Sequence, residues 1–210
     1  MKILRPIGGT AGIFFPIGNV NKGGTCENAT RECLKFCCAK WDIDHNEEYR
    51  ISIGDKKAIY KEFINKPIFD LCSKILREMK ELQTNILHWF ASGDCMDKDV
   101  ERIENIITLL NHHSSIYQNG FTKNGNLISA TTFTDRVRII YTVPTKTDIH
   151  EGSNRIYAVC KYDHGDTILY TSETINAGHC GSAEYRLKRL KFVNDCRTCL
   201  RLKKGCFTKL

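Results

Sequence analysis

The chain has 210 residues, 41% of them hydrophobic and 26% charged, with eleven cysteines and a formal net charge of +7. That balance excludes a disordered chain and allows one packed domain, or one domain with a small appendage. No run approaches the roughly 18 apolar residues of a membrane span. The opening MKILRPIGGTAGIFFPIGNV makes a poor signal peptide, because Arg5, Pro6 and several glycines break its apolar residues. A reducing cytoplasm is the expected setting, and there eleven cysteines read as metal ligands more readily than as a disulfide framework.

From Ile3 to Gly24 short apolar runs alternate with glycines, which predicts one or two short strands joined by turns. Between Glu27 and Trp41 the spacing becomes helical, with Cys33, Cys37 and Trp41 on one face. Asp55 is a candidate cap for a helix running to about Asn65, and Pro67 for the start of a continuation to about Leu82. Ile68, Leu71, Cys72, Ile75, Leu76 and Met79 form the apolar stripe of that second helix, with Cys72 read as a buried small hydrophobe. Asn85 to Ala91 predicts a buried strand, and Val100, Ile103, Ile106, Ile107 and Leu110 the core face of a further helix. Strands are expected at Arg136–Val143, Arg155–Cys160 and Thr167–Thr171. Strands alternating with helices argue for an α/β domain with a mostly parallel sheet, too short for eight strands, and hence a partial, open β/α barrel. That domain is expected over residues 1–175, with a small Cys-rich metal-binding appendage over 176–210.

Three motifs could carry chemistry. In Cys26-x6-Cys33-x3-Cys37 the last two sulfurs would stand one helical turn apart, and Cys26 could fold over from the Gly-rich approach. Three thiolates facing one point suit a [4Fe–4S] cluster with one iron open to a ligand, or a zinc ion with Cys38 or His45 as fourth ligand. In the tail, Cys180, the pair Cys196-Arg-Thr-Cys199 and Cys206 could complete a four-cysteine zinc or iron–sulfur site, with Cys160 or His179 as substitutes. The same tail carries Arg186, Lys188, Arg189, Lys191, Arg197, Arg201, Lys203, Lys204 and Lys209 against Asp195 alone, a local charge of +8 that suits nucleic acid. The third motif is the strand end Ser92-Gly93-Asp94. Ligands of parallel α/β folds gather at the carboxyl ends of strands, where Gly93 supplies a flexible backbone and Asp94 a carboxylate for proton transfer or ligand binding. Asp94 read as the cap of the next helix is the structural alternative. His88 reads as a hydrogen-bonded core histidine.

The order C-x6-C-x3-C, a strand ending His88-Trp89-x-x-Ser92-Gly93-Asp94 and a late C-x-x-C resembles the mycobacteriophage gene-product-eighty-eight type and the related phage three-cysteine-motif proteins. The resemblance runs from about Phe14 to Cys206. It departs at Cys38, where those proteins carry an aromatic residue after the third cysteine. Their motif is similar to that of enzymes that cleave S-adenosylmethionine at an iron–sulfur cluster, without the usual C-x3-C-x2-C spacing. The activity of those proteins is not established, and the resemblance itself implies a phage-type protein of the host cytoplasm. Taken with the strand-end turn and the basic tail, the expectation is a radical-type enzyme acting on nucleic acid or nucleotides, with Asp94 and Ser92 at the ligand. Ile13-Phe14-Phe15-Pro16-Ile17-Gly18 is faintly similar to the opening of base-exchanging transglycosylases. A zinc-binding nucleic-acid module with no activity is the other class of reading.

Overall fold

A computed structural model of the chain describes residues 1–7, 9–35, 37, 39 and 51–143, together with short strand segments at 157–159, 162–163, 166–167, 179–180 and 193–194. The chain divides into two compact units, Met1–Ile139 and Ile140–Leu210. Residues 175 and 176, where the tail was expected to begin, lie outside the described ones.

The first unit starts with two strands, β1 (Leu4–Ile7) and β2 (Thr10–Phe14), paired antiparallel with Arg5 opposite Gly12. A short helix α1 (Arg31–Lys35) follows a long glycine-bearing loop. Then come α2 (Ile53–Asn65) and α3 (Ile68–Glu81), β3 (Ile86–Ser92), α4 (Val100–His113), β4 (Tyr117–Thr122), α5 (Gly125–Ala130) and β5 (Val137–Val143). The sheet order is β1-β2-β3-β4-β5, with β2, β3 and β4 parallel. This is a mixed α/β fold with a mostly parallel sheet, as the alternating pattern predicts. In the second unit, Tyr141–Val143 of β5 pairs in parallel with β6 (Tyr157–Val159). Also in that unit, His179–Cys180 pairs in parallel with Val193–Asn194. Among the described residues no helix is long and apolar enough to cross a membrane.

Periodicity places most helix faces correctly. In α3, Leu71, Cys72, Ile75 and Met79 are buried, and in α4 Ile103, Ile106, Ile107 and Leu110. Burial also pushes the Cys72 thiol up to about 11, against the opposing pull of Arg102, so it behaves as a small apolar side chain. Two details differ from the sequence reading. The cap of α2 is Ser52, whose hydroxyl accepts from Asp55 N at 3.0 Å; Asp55 sits inside the first turn. Glu78 lies on the buried stripe of α3, because its Oε2 accepts from both Ile3 N and Leu4 N at 2.8 Å. The carboxylate thus satisfies the edge of β1, which offsets its burial.

The helices pack on one side of β3. Trp89 lies 6.1 Å, ring to ring, from Phe63 of α2, and its indole N–H donates to Gln118 Oε1 at 3.0 Å. Gln118 Nε2 in turn donates to Ile107 O in α4 at 2.9 Å, so this buried polar chain is fully used. Opposite Trp89 stands Gly120, where a Cβ would come within 2.5 Å of Trp89 O. Any larger residue would push β4 off β3.

Candidate functional site

Three loops meet at the carboxyl ends of the parallel strands. The first leaves β2 and returns on itself: Thr25 N donates to Pro16 O at 2.9 Å and Cys26 N to Gly18 O at 3.0 Å. At Gly24 a Cβ would fall 2.1 Å from Gly18 O, so the closure needs glycine there. The result sets Cys26 beside the end of β2, with Gly18 N donating to its Sγ at 3.4 Å.

The second loop is Ser92-Gly93-Asp94. Across its approach, Gly12 and Phe14 of β2 have one residue between them, whereas their partners His88 and Ser92 have three. Phe90 takes up the excess at φ 54, a conformation that costs a non-glycine residue on the order of 1 kcal/mol. Its ring joins Phe15 at 5.9 Å on the helix side, and the strand end is drawn against β2. Ser92 is fully buried; its hydroxyl donates to Phe15 O at 2.8 Å, while Phe15 N donates to Ser92 O. Gly93 sits at φ 73, where a Cβ would meet Phe15 Cβ and Thr25 Oγ1 at 2.7 Å. Only glycine lets the turn close on the cysteine loop.

Asp94 ties all three loops. Its N donates to Thr25 Oγ1 at 3.1 Å. Oδ1 accepts from Cys95 N at 2.8 Å and from the Thr122 hydroxyl at 2.5 Å, and Oδ2 accepts from Lys123 N at 2.8 Å. Burial raises its pKa to about 6, and the Thr122, Lys123 and Cys95 donors pull the other way. The third loop is held further by Asn124, which donates to Cys95 O at 3.0 Å and caps α5 by accepting from Leu127 N at 3.0 Å. Asp94 is thus a bridge, and the alternative in which it caps the next helix is not met: Asp99 occupies that position before α4.

The cysteines of the first motif share an electrostatic environment. Burial pushes the Cys26 thiol up to about 12; the Gly18 N–H opposes this, and Asp94, Cys37 and Cys33 each add to it. Cys33 and Cys37 are half-buried. The expected one-turn spacing is corrected here, because α1 ends at Lys35 and Cys37 lies beyond it. Thr30 closes the start of α1 by accepting from Cys33 N at 3.1 Å. Among the described residues, no three His, Cys, Asp or Glu side chains stand close enough together to hold a metal ion as they are.

Cys95 is buried, its Sγ donating to Met96 O at 3.3 Å, and burial beside Asp94, Asp99, Asp97 and Glu27 holds the thiol protonated. His88 is half-buried, and burial lowers its pKa to about 4 against the pull of Asn119. It stays neutral at physiological pH. Cys180 belongs to a short strand in the second unit; Cys196, Cys199 and Cys206, like Cys38, Trp41, His45, Cys160 and residues 168–171, lie outside the described residues.

Sequence reading missed Thr25, Thr122 and Asn124, the residues that hold the loops together. A threonine just before Cys26 and the Thr-Lys-Asn run after a strand were the available signals. No family model, no curated protein and no solved structure matches the chain.

Proposed function

We propose that this chain is an iron–sulfur enzyme of the partial, open β/α-barrel kind, in which Cys26, Cys33 and Cys37 hold a [4Fe–4S] cluster. The Ser92-Gly93-Asp94 turn then receives a ligand such as S-adenosylmethionine beside it. The observation that supports the reading is one arrangement at the carboxyl edge of the sheet. A closed loop presents Cys26 there, within electrostatic reach of Cys33, Cys37 and Asp94.

The chemistry of the donor set suits such a group, with Cys33 and Cys37 closing on Cys26 when it binds. Gly18 N–H already meets the Cys26 sulfur, the kind of bond that supports a thiolate ligand. The raised Cys26 pKa reflects burial next to like charge, and a bound cation reverses that balance. When bound, the cluster supplies one-electron chemistry. The protein's own groups position the ligand: Asp94 Oδ2 accepts from Lys123 N and keeps a second lone pair for a ligand ammonium or hydroxyl. Ser92 acts as a positioning residue through Phe15, and Gly93 exposes backbone at the turn. The consecutive order β1-β2-β3-β4-β5 supports the partial barrel, since right-handed crossovers between strands in sequential order lay every helix on one face.

In this reading the Cys180, Cys196, Cys199 and Cys206 set is a closing zinc or iron–sulfur site that staples the basic tail. The tail contacts nucleic acid, the class of substrate acted on. The chain would be a phage-type protein working in the host cytoplasm, similar to the gene-product-eighty-eight type.

Anaerobic purification with metal and sulfide analysis tests the proposal. About four irons and four sulfides per chain, with a broad visible absorption band lost in Cys33→Ala, are the expected result. A colourless protein holding zinc alone under strict anaerobiosis would sink the radical reading. The +8 charge of residues 186–210 would then favour the zinc-binding nucleic-acid module.

A further inference from the structure

The face of the sheet turned away from the helices has a different character from the rest of the core. One rung across it runs Arg5, Gly12, His88, Asn119, each directly opposite the next. β5 continues the sheet beyond β4, with Gln118 N donating to Arg136 O. Val137 and Ile139 of β5 are fully buried, and Arg138 between them projects to the opposite side. Two guanidiniums, an imidazole and a carboxamide therefore lie on one face.

Asn119 faces His88 and pulls its pKa up, but part of the polar capacity of this face is unused among the described residues. The buried side-chain polar atoms without a hydrogen bond among the described residues are Arg5 Nε, Asn119 Oδ1 and Arg138 Nη1. All three belong to this face, and Asn119 is only 7% exposed. An unpaired buried polar atom is destabilising, so three on one face point to an external partner. The strands contribute no carboxylate to the face, and neither Arg5 nor Arg138 forms an ion pair among the described residues. Ile7 and Phe14 close over Gly12, their atoms 2.7 and 2.8 Å from where its Cβ would stand, and the Phe121 ring lies 6.4 Å from His88. Apolar and aromatic walls with a few convergent polar groups are the usual make-up of a small-molecule site.

We propose that this face binds a phosphate monoester that also carries a hydroxyl or N–H donor. The guanidiniums of Arg5 and Arg138, at the two ends of the rung and without an ion pair among the described residues, supply positive charge for the charge of about −2 on such an ester, and their planar N–H forks match its oxygens. Asn119 Oδ1, which keeps a second lone pair beyond its approach to His88, accepts from a donor on the ligand's organic part, which free phosphate lacks. The site is separate from the cysteine loop and does not depend on a cluster there.

Thermal unfolding of the full chain with inorganic phosphate, uridine 5′-monophosphate or uridine tests this. The monophosphate is expected to raise Tm by several degrees and to bind about tenfold tighter than phosphate, and uridine to have no effect. Arg5→Gln and Arg138→Gln should each weaken monophosphate binding by about tenfold or more, whereas Arg31→Gln should not. Asn119→Leu should weaken the monophosphate and leave inorganic phosphate unchanged. If a glutamine variant does not fold, the lysine variant, which keeps charge without the fork, replaces it with the same expected direction. No shift with either phosphate, or unchanged affinity in both arginine variants, would overturn the proposal.

Discussion

The two faces of β3 contrast sharply. On the helix side, Leu87 and Trp89 are buried, and the one polar chain, Trp89 to Gln118 to Ile107 O, ends with its amide groups used. On the other side His88 and Asn119 share a rung with Arg5, and three buried polar atoms have no hydrogen bond among the described residues. The first arrangement is what stability alone selects. The second costs free energy in the isolated chain, a cost that a protein keeps where a ligand or partner is to be met.

Replacing groups on each face should expose the contrast. The largest loss is expected for Trp89→Ala, about 3–5 kcal/mol by urea denaturation, because it empties a packed aromatic site and strands Gln118. A loss under about 1 kcal/mol would mean that the helix side is not the main core. Next comes Gln118→Leu, at about 2 kcal/mol, since it leaves the buried indole N–H unpaired.

The pH dependence separates the two titratable groups near this strand. His88 has a lowered pKa, so its neutral burial is stabilising above the unfolded value near 6.5 and is lost as pH falls towards about 4. Asp94 has a raised pKa, so its burial cost is full above about 6 and is relieved as pH falls towards 3.8. The two slopes oppose each other over nearly the same window. In metal-free protein, His88→Gln should therefore gain on the wild type as pH falls from about 6.5 to 4, and Asp94→Asn should lose ground, each by on the order of 2 kcal/mol. Parallel curves for both variants would show that neither group titrates as its burial requires. The smallest effect belongs to Asn119→Leu without ligand, within about 1 kcal/mol of wild type, because among the described residues the removed Oδ1 loses only its pull on His88. A large loss there would mean that the second face is satisfied and closed.

Much of the scaffold was legible in residue order. The stripes of α3 and α4 and the apolar run of β3 follow from periodicity alone, since one face of each must leave water. β4 was invisible to that test: Tyr117-Gln-Asn-Gly-Phe-Thr122 buries two amides and a glycine, and looks like a loop until Trp89 and Ile107 supply the partners. The buried Glu78 was hidden for the same reason, its partners lying 75 and 74 residues away. At the strand edge, Ser92-Gly93-Asp94 was recognisable as a turn at a strand end. That Asp94 would bridge Thr25, Thr122 and Lys123 was not, because those bonds join three loops remote in sequence. The helical spacing of Cys33 and Cys37 misled, since α1 stops at Lys35.

The sequence by itself determined the α/β alternation, the apolar faces and the glycine at the Ser92–Asp94 turn, because each depends on local geometry and on burial of one face. Only the tertiary structure decided which polar groups find partners, gathering Cys26 and Asp94 at one edge and leaving Arg5 Nε, Asn119 Oδ1 and Arg138 Nη1 without a hydrogen bond among the described residues. Hydrogen-bond satisfaction is a property of long-range neighbours, and no local pattern encodes it.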